Sequence, residues 1–265
     1  MKKLLIVVVC IVFLTAMDSF AEPSKEHTFD LGIEISHITY DEPGVMEEEG
    51  MMYGLHGSYT YRANKHMLRA EARFSYGQVD YENSGTLDNI DDYIIEVRQL
   101  GGYVFGFSKA TTIIPYLGVG YRYLNDDSAG MTTSTGAKGY ERESNYYYSP
   151  IGIEVVNEMN NGWFIGITLE YDHFWKGRQI SHIGDAIAGV GNLENDQNEG
   201  YGLRGSVEFE KKSEKMDFLV SPFIRYWDIE QSETQPVTYS GVIVGYGYEP
   251  ENSSIEYGVK FTARL

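Results

Sequence analysis

From residue 29 onward the chain alternates hydrophobic and polar positions in short runs. Near the beginning, Phe29, Leu31, Ile33 and Ile35 alternate with Asp30, Gly32, Glu34 and Ser36. At the end, Ile255, Tyr257, Val259, Phe261, Ala263 and Leu265 alternate with Glu256, Gly258, Lys260, Thr262 and Arg264. A period of two marks a strand whose successive side chains take opposite faces of a sheet. Similar runs cover about 51–62, 66–81, 92–107, 112–124, 144–156, 163–175, 201–210 and 216–228, so ten strands are predicted. The pattern is less regular in 92–107, where Gln99 falls on the otherwise apolar face.

The links between these runs decide what kind of sheet they build. Those at 63–65, 108–111, 157–162 and 211–215 are short, and Asn161-Gly162 is a hairpin dipeptide. Those at 41–50, 82–91, 125–143, 176–200 and 229–252 are mostly much longer. A soluble sandwich has no reason to alternate short and long links, whereas a membrane barrel has short periplasmic turns and long extracellular loops. Lipid cannot hydrogen-bond a sheet edge, so strands cross a bilayer only as a closed barrel. Tyr59, Tyr61, Tyr76, Tyr121, Tyr123, Trp163, Tyr171 and Tyr226 gather near strand ends, as interfacial girdles do. The competing architecture is a soluble lipocalin-like barrel, which would turn the apolar face inward around a ligand. The expectation is all-β: a ten-stranded antiparallel transmembrane β-barrel with short periplasmic turns, long extracellular loops and both ends on the periplasmic side.

The first residues read differently. Lys2-Lys3, the apolar run from Leu4 to Leu14 and the small residues of Ser19-Phe20-Ala21 form the pattern of a secretory signal peptide cut before Glu22. The apolar run is shorter than the ~20 residues of a transmembrane helix. The expected organisation is therefore a signal peptide at 1–21 and a barrel domain at 22–265. Cys10 is the only cysteine and would leave with the signal.

The stretch Pro115-Tyr116-Leu117-Gly118-Val119-Gly120-Tyr121-Arg122-Tyr123 and the closing Glu256-Tyr257-Gly258-Val259-Lys260-Phe261-Thr262-Ala263-Arg264-Leu265 resemble the bacterial outer-membrane β-barrel proteins, in the broad OmpA-like and porin-like sense. The likeness covers 22–265 through pattern rather than one diagnostic motif. The family's closing strand usually ends in an aromatic residue, and here Leu265 stands in that place. The resemblance implies residence in the outer membrane of a Gram-negative bacterium. It also implies contact with membrane lipid and lipopolysaccharide, and insertion by the assembly machinery through the C-terminal strand.

Charge refines the picture. The chain has 21 Lys+Arg against 39 Asp+Glu, a net charge of −18, which argues against nucleic acid as a partner. The acidic excess collects in the long links, as at Asp41, Glu42, Glu47, Glu48, Glu49, Glu249 and Glu251. On the strand face away from lipid, Glu71, Glu96, Glu154, Glu170, Glu208 and Glu256 share the wall with Arg73, Arg98, Arg122, Arg204, Arg225 and Lys260. Ten strands leave little interior room, and unpaired buried charge is costly. A narrow lumen crossed by ion pairs is therefore expected.

Candidate chemistry is sparse. Ten-stranded barrels include the omptins, surface proteases whose catalytic acidic and Asp/His groups lie at the extracellular rim. Here Asp91, Asp92, Asp172 and His173 are the corresponding candidates. Adjacent strand residues point to opposite faces, so both pairs depart from the omptin spacing, and no catalytic group is assigned. The G-x-G-x-x-G spacing of Gly200-Tyr201-Gly202-Leu203-Arg204-Gly205 opens a strand, not the helix that a dinucleotide site requires. Asn125-Asp126-Asp127-Ser128-Ala129-Gly130 lacks the EF-hand ligand order. No cofactor and no metal site is expected, although acidic loops admit divalent cations or basic surface ligands. The expected role is structural or surface-interaction. A small cation-preferring diffusion channel is the first alternative, and an omptin-like surface protease the second.

Overall fold

The computed structural model describes residues 26–265; the signal-peptide segment expected at 1–21 lies outside the described residues. Fourteen strands follow one another among the described residues. In order they are β1 (Glu26–Glu42), β2 (Met46–Ala63), β3 (His66–Asn83), β4 (Gly85–Tyr103), β5 (Phe105–Gly106), β6 (Thr111–Asp127) and β7 (Glu141–Glu158). Then come β8 (Trp163–Ser181), β9 (Leu193–Gln197), β10 (Gly200–Lys211), β11 (Asp217–Ile229), β12 (Gln235–Tyr239), β13 (Val242–Gly247) and β14 (Asn252–Arg264).

Ten staves form one closed antiparallel barrel: β1–β4, β6–β8, β10, β11 and β14. The short β5 pairs with β6, and β9 continues the β10 stave upward along β8. The barrel closes where β1 meets β14, from Asp30 opposite Arg264 to Asp41 opposite Ser253. Backbone bonds between Phe29 and Leu265 (3.0 and 2.8 Å) extend that seam by one rung. Asn161 and Gly162 both take positive φ, 62° and 72°, in the β7–β8 turn; the hairpin dipeptide tolerates this region where most residues do not.

The outer wall matches a lipid contact surface. Leu31, Leu117 and Leu169 are 69%, 68% and 61% exposed. Above this band, ring contacts step along the wall from Tyr93 to Tyr123 (5.7 Å), from Tyr121 to Tyr147 (5.1 Å), and from Tyr171 through Tyr201 (6.3 Å) to Tyr226 (6.1 Å). At the opposite end His27, Phe29 and Tyr59 cluster, as do His66, Tyr103 and Phe105. Among the described residues no helix is long and apolar enough to cross a membrane.

Two expected long loops are corrected. The ladder runs through 41–50 and 82–91: β1 and β2 are joined by 43–45 alone, and β3 and β4 by Ser84 alone. Asp41 and Glu42 pair with Glu47 and Met46 as strand residues, and Glu48 and Glu49 face Tyr81 and Asp80. The barrel wall thus extends past the aromatic band, where water removes the need for an apolar outer face but not the benefit of backbone pairing. The longer extracellular connections are 128–140, 182–192 and 230–251, and the last carries the β12–β13 hairpin.

Leu169 sits midway along the lipid-facing side of β8, between Trp163 and Trp175. Leu169→Arg should cost ~2–4 kcal/mol, read from urea titrations of folding into lipid vesicles. A cost near zero would reverse the assignment of faces.

Candidate functional site

The inward face of each stave builds the interior in layers. Near the periplasmic end, Arg264 binds Asp30 (2.8 Å) and Glu210 (2.7 Å), Arg69 binds Glu154 (3.1 Å), and Arg98 binds Glu71 (2.6 Å). Glu208 lies 3.6 Å from Arg264. All of these groups except Glu210 line a cavity of about 180 Å³ together with His56 and Lys260. Its roof is a tighter set. Arg73 reaches Glu34 (3.1 Å), Glu96 (2.8 Å) and Glu256 (3.1 Å), and Arg225 joins Glu34 and Glu256 (3.0 Å each). Arg204 reaches Glu96, Glu170 and Asp172, while Tyr148 and Tyr116 donate to Glu96 (2.6 Å) and Glu170 (2.7 Å). Glycines opposite the two tyrosines make this possible. A Cβ on Gly120 or Gly152 would fall into the ring of Tyr148 or Tyr116.

Two cations expected in the ion-pair network have no carboxylate within 4.0 Å among the described residues. Arg122 is buried with its guanidinium 5.5 Å over the Tyr146 ring, and Lys260 holds its ammonium 5.4 Å from the Phe223 ring. For Arg122 the reason is that Glu96, its neighbour across the ladder, already serves Arg73 and Arg204. Lys260 sits opposite Glu34, which is likewise taken by Arg73 and Arg225.

Above the ionic layers the interior turns apolar. Ile38, Met52, Val79, Leu87, Ile90, Ile94 and Leu124 form one buried cluster. Tyr146, Tyr148, Phe174, Trp227 and Ile229 form a second. Arg204 sits 5.4 Å over Tyr148 and 5.6 Å over Trp227, which joins the aromatic cluster to the charges below. The sequence signal for this plug was apolar residues on both faces, as in Ile94-Ile95 and Tyr146-Tyr147-Tyr148. Such runs do not say which side a residue takes.

Over the plug, Arg142 draws in Glu42 (3.1 Å), Glu48 (2.7 Å) and Asp126 (2.6 Å). Glu42 and Glu48 are therefore buried, Glu249 is buried beside them, and none of the three belongs to a solvated rim, whereas Glu47, Glu49 and Glu251 are exposed. Burial, reinforced by Glu42, pushes the Glu249 carboxyl up to about 8. Burial raises Glu48 as well, against the pull of Arg142.

The four rim candidates do not converge. Asp91 faces outward and accepts from Tyr76 (2.6 Å) and Gln78 (3.1 Å), while Asp92 is buried on the inner face. Asp172 is buried against Arg204, and His173 packs edge-on to Trp175 on the outer wall at 4.4 Å.

The extracellular connections form a crown. Thr133 donates to the Ser84 carbonyl (3.0 Å), tying 128–140 to the β3–β4 turn. The β12–β13 hairpin turns at Ser240 and Gly241, with φ 47° and 80°, and is anchored by Gly191 N to Thr238 O (2.9 Å) and Ser240 N to Gly189 O (2.8 Å). Tyr239, Val242, Ile243, Val244, Tyr246 and Tyr248 are all at least half exposed on it. Sequence reading left this segment inside a loop, although Ser-Gly between runs of aromatic and β-branched residues is a turn signal.

Two outcomes follow. Arg73→Ala should destabilise the barrel by ~3–5 kcal/mol, because it leaves Glu34, Glu96 and Glu256 undercompensated; urea unfolding in vesicles measures it. Glu249 is held above its ordinary value, so its contribution is full below about 4.5 and is lost as pH rises through about 8. Protection factors across 230–251, which divide out the intrinsic base-catalysed exchange rate, should therefore fall between pH 5 and pH 9, and Glu249→Gln should flatten that dependence.

Comparison with known proteins gives the fold its context. Residues 6–197 match the family model of the outer membrane protein beta-barrel domain. The outer membrane protease OmpT from Escherichia coli superposes with TM-score 0.67 at 8% identity, over 94% of this chain and 99% of that one. The translocator domain of autotransporter NalP from Neisseria meningitidis gives TM-score 0.43 at 12% identity, over 98% and 97%. The outer membrane protein OprG from Pseudomonas aeruginosa gives 0.34 at 13%, over 91% and 97%. No curated protein matches the sequence.

Proposed function

Since the chain belongs to the outer membrane protein beta-barrel domain family, we propose that it is a non-catalytic surface-interaction protein, a plugged barrel that holds its crown above the outer membrane. The observation that carries this reading is the filled extracellular half of the lumen. Ile38, Met52, Ile90, Ile94, Tyr148 and Ile229 are all buried to 2% exposure or less. A solute path through them would require expelling packed side chains and exposing their apolar surface to water, at ~25 cal/mol per Å².

The crown supplies the contact surface. Scattered exposed apolar residues are ordinary, but a contiguous group on one projecting hairpin favours a protein or membrane partner. Around it stand exposed carboxylates such as Glu47, Glu49 and Glu251, so a basic or amphipathic partner fits best. The wall below is in contact with lipid and lipopolysaccharide, and β14 is the strand that the assembly machinery would engage.

The refolded mature chain in a planar bilayer should give no stable conductance steps. Steady, cation-preferring steps would instead establish the diffusion-channel reading. Serine at Val242, Ile243, Val244 and Tyr246 together should weaken cell–surface attachment at least tenfold, about 1.4 kcal/mol, while the barrel keeps its heat-modifiable gel mobility. Unchanged attachment would remove the hairpin from the role.

A further inference from the structure

On the outer wall, above the Tyr121, Tyr123 and Tyr147 band, a second group of side chains stands apart from the lumen and the hairpin. We propose that Glu141, Glu143 and His182 form a binding site for a zinc-type divalent transition metal ion. One donor atom from each lies within 4.8 Å of the others.

The strand ladder makes the cluster. Glu141 and Glu143 are two residues apart on β7, so they share its outward face. His182 directly follows β8, and its N–H bonds to the Glu141 carbonyl at 2.9 Å, adding one rung to the β7–β8 pairing. That rung places the imidazole beside Glu141 and diagonal to Glu143, with Nε2 2.9 Å from Glu143 Oε1.

Residues outside the trio hold each donor in place. Tyr123 donates to Glu143 Oε2 (2.8 Å), and the buried Asn125 donates to Glu141 Oε1 (2.8 Å). Both come from β6, one strand away, and each leaves the second oxygen of its carboxylate for the cluster. The Asn192 carboxamide lies 3.0 Å from His182 Nδ1. Rotated by half a turn, it offers oxygen to an Nδ1–H and leaves the Nε2 lone pair for a metal. Outer partners of this kind fix the tautomer and ring direction of metal-binding histidines.

Charge points the same way. No Lys or Arg among the described residues lies within 4.0 Å of either carboxylate. The nearby Lys176 and Arg178 are engaged by Asp196, at 2.7 and 2.9 Å. Asp127 lies opposite Glu141 in the ladder, and Asp185 accepts from the Glu141 N–H (3.3 Å). The pair therefore carries negative charge that no Lys or Arg among the described residues neutralises by direct contact. One imidazole nitrogen with two carboxylates is a three-ligand set suited to zinc, with bonds of ~2.0–2.2 Å and water in the remaining position. In the tautomer that Asn192 favours, Nε2 donates its lone pair directly to the metal in place of its contact with Glu143 Oε1. Sequence spacing could not reveal this set, because Glu143 and His182 stand 39 positions apart.

The test is calorimetry on the tag-free, chelator-treated barrel in detergent micelles, titrated with ZnCl2 and separately with CaCl2. One Zn²⁺ should bind per chain, at least tenfold more tightly than Ca²⁺. His182→Ala should lower zinc affinity at least tenfold, and Asn192→Ala by 10- to 100-fold as an outer partner. Co²⁺ should give visible absorption bands that vanish in His182→Ala. Equal zinc binding by wild type and His182→Ala, a preference for Ca²⁺, or no zinc binding would each overturn the site. Heat-modifiable mobility reports whether each variant is folded. If His182→Ala does not fold, Asn192→Ala and Tyr123→Phe carry the test, since neither is a ligand.

Discussion

The hydrogen bonds between β1 and β14 are the constraint on which the rest of the molecule depends. A bilayer leaves a strand edge no partner, and each unpaired backbone group there costs several kcal/mol. The first and last strands must therefore meet, with Asp30 against Arg264 and Glu34 against Lys260. Once that seam forms, every stave has two neighbours. The outward residues of each spanning segment must then be apolar, because the lipid is outside. All the polar positions of the spanning segments are forced into one narrow interior.

That confinement explains the layers. Charged groups in a low-dielectric space must find opposite charge and further hydrogen bonds, and the Glu34, Arg73, Glu96, Arg225 and Glu256 set does so across the barrel rather than only along neighbouring strands. Their mutual saturation has a consequence. Arg122 and Lys260 are left with aromatic faces in place of carboxylates, a weaker but available source of negative potential. Above this level the interior could use apolar packing because the surrounding wall already satisfies the backbone. The plug and the ionic layers stabilise the closed lumen by different means, and Tyr148 belongs to both.

Past the aromatic band, water replaces lipid and the rule for the outer face relaxes. The ladder continues, so Glu47 and Glu49 project from strands, while Glu42 and Glu48 turn inward to Arg142. The same relaxation lets β6, β7 and the end of β8 carry Tyr123, Asn125, Glu141, Glu143 and His182 side by side on the outer wall. Polar chemistry at this height is compatible with a membrane protein because it begins where the hydrocarbon ends.

What the sequence determined by itself was local. Alternation in 163–175 and 255–265 marked strands and split each into two faces, Asn161-Gly162 marked a turn, and the rhythm of short and long links implied a closed membrane barrel. These features rest on pleat geometry and backbone conformation, which neighbours along the chain control. Where both faces are apolar, as at Ile94-Ile95, alternation was silent about the plug. It was equally silent about where the ladder stops, since polar residues such as Glu47 suit a strand in water as well as a loop. Only the tertiary structure decided which charge meets which, why Arg122 stacks on Tyr146, and that His182 comes beside Glu141 and Glu143. Those outcomes depend on barrel closure and strand register, which bring together residues from distant parts of the chain, and no spacing rule encodes them.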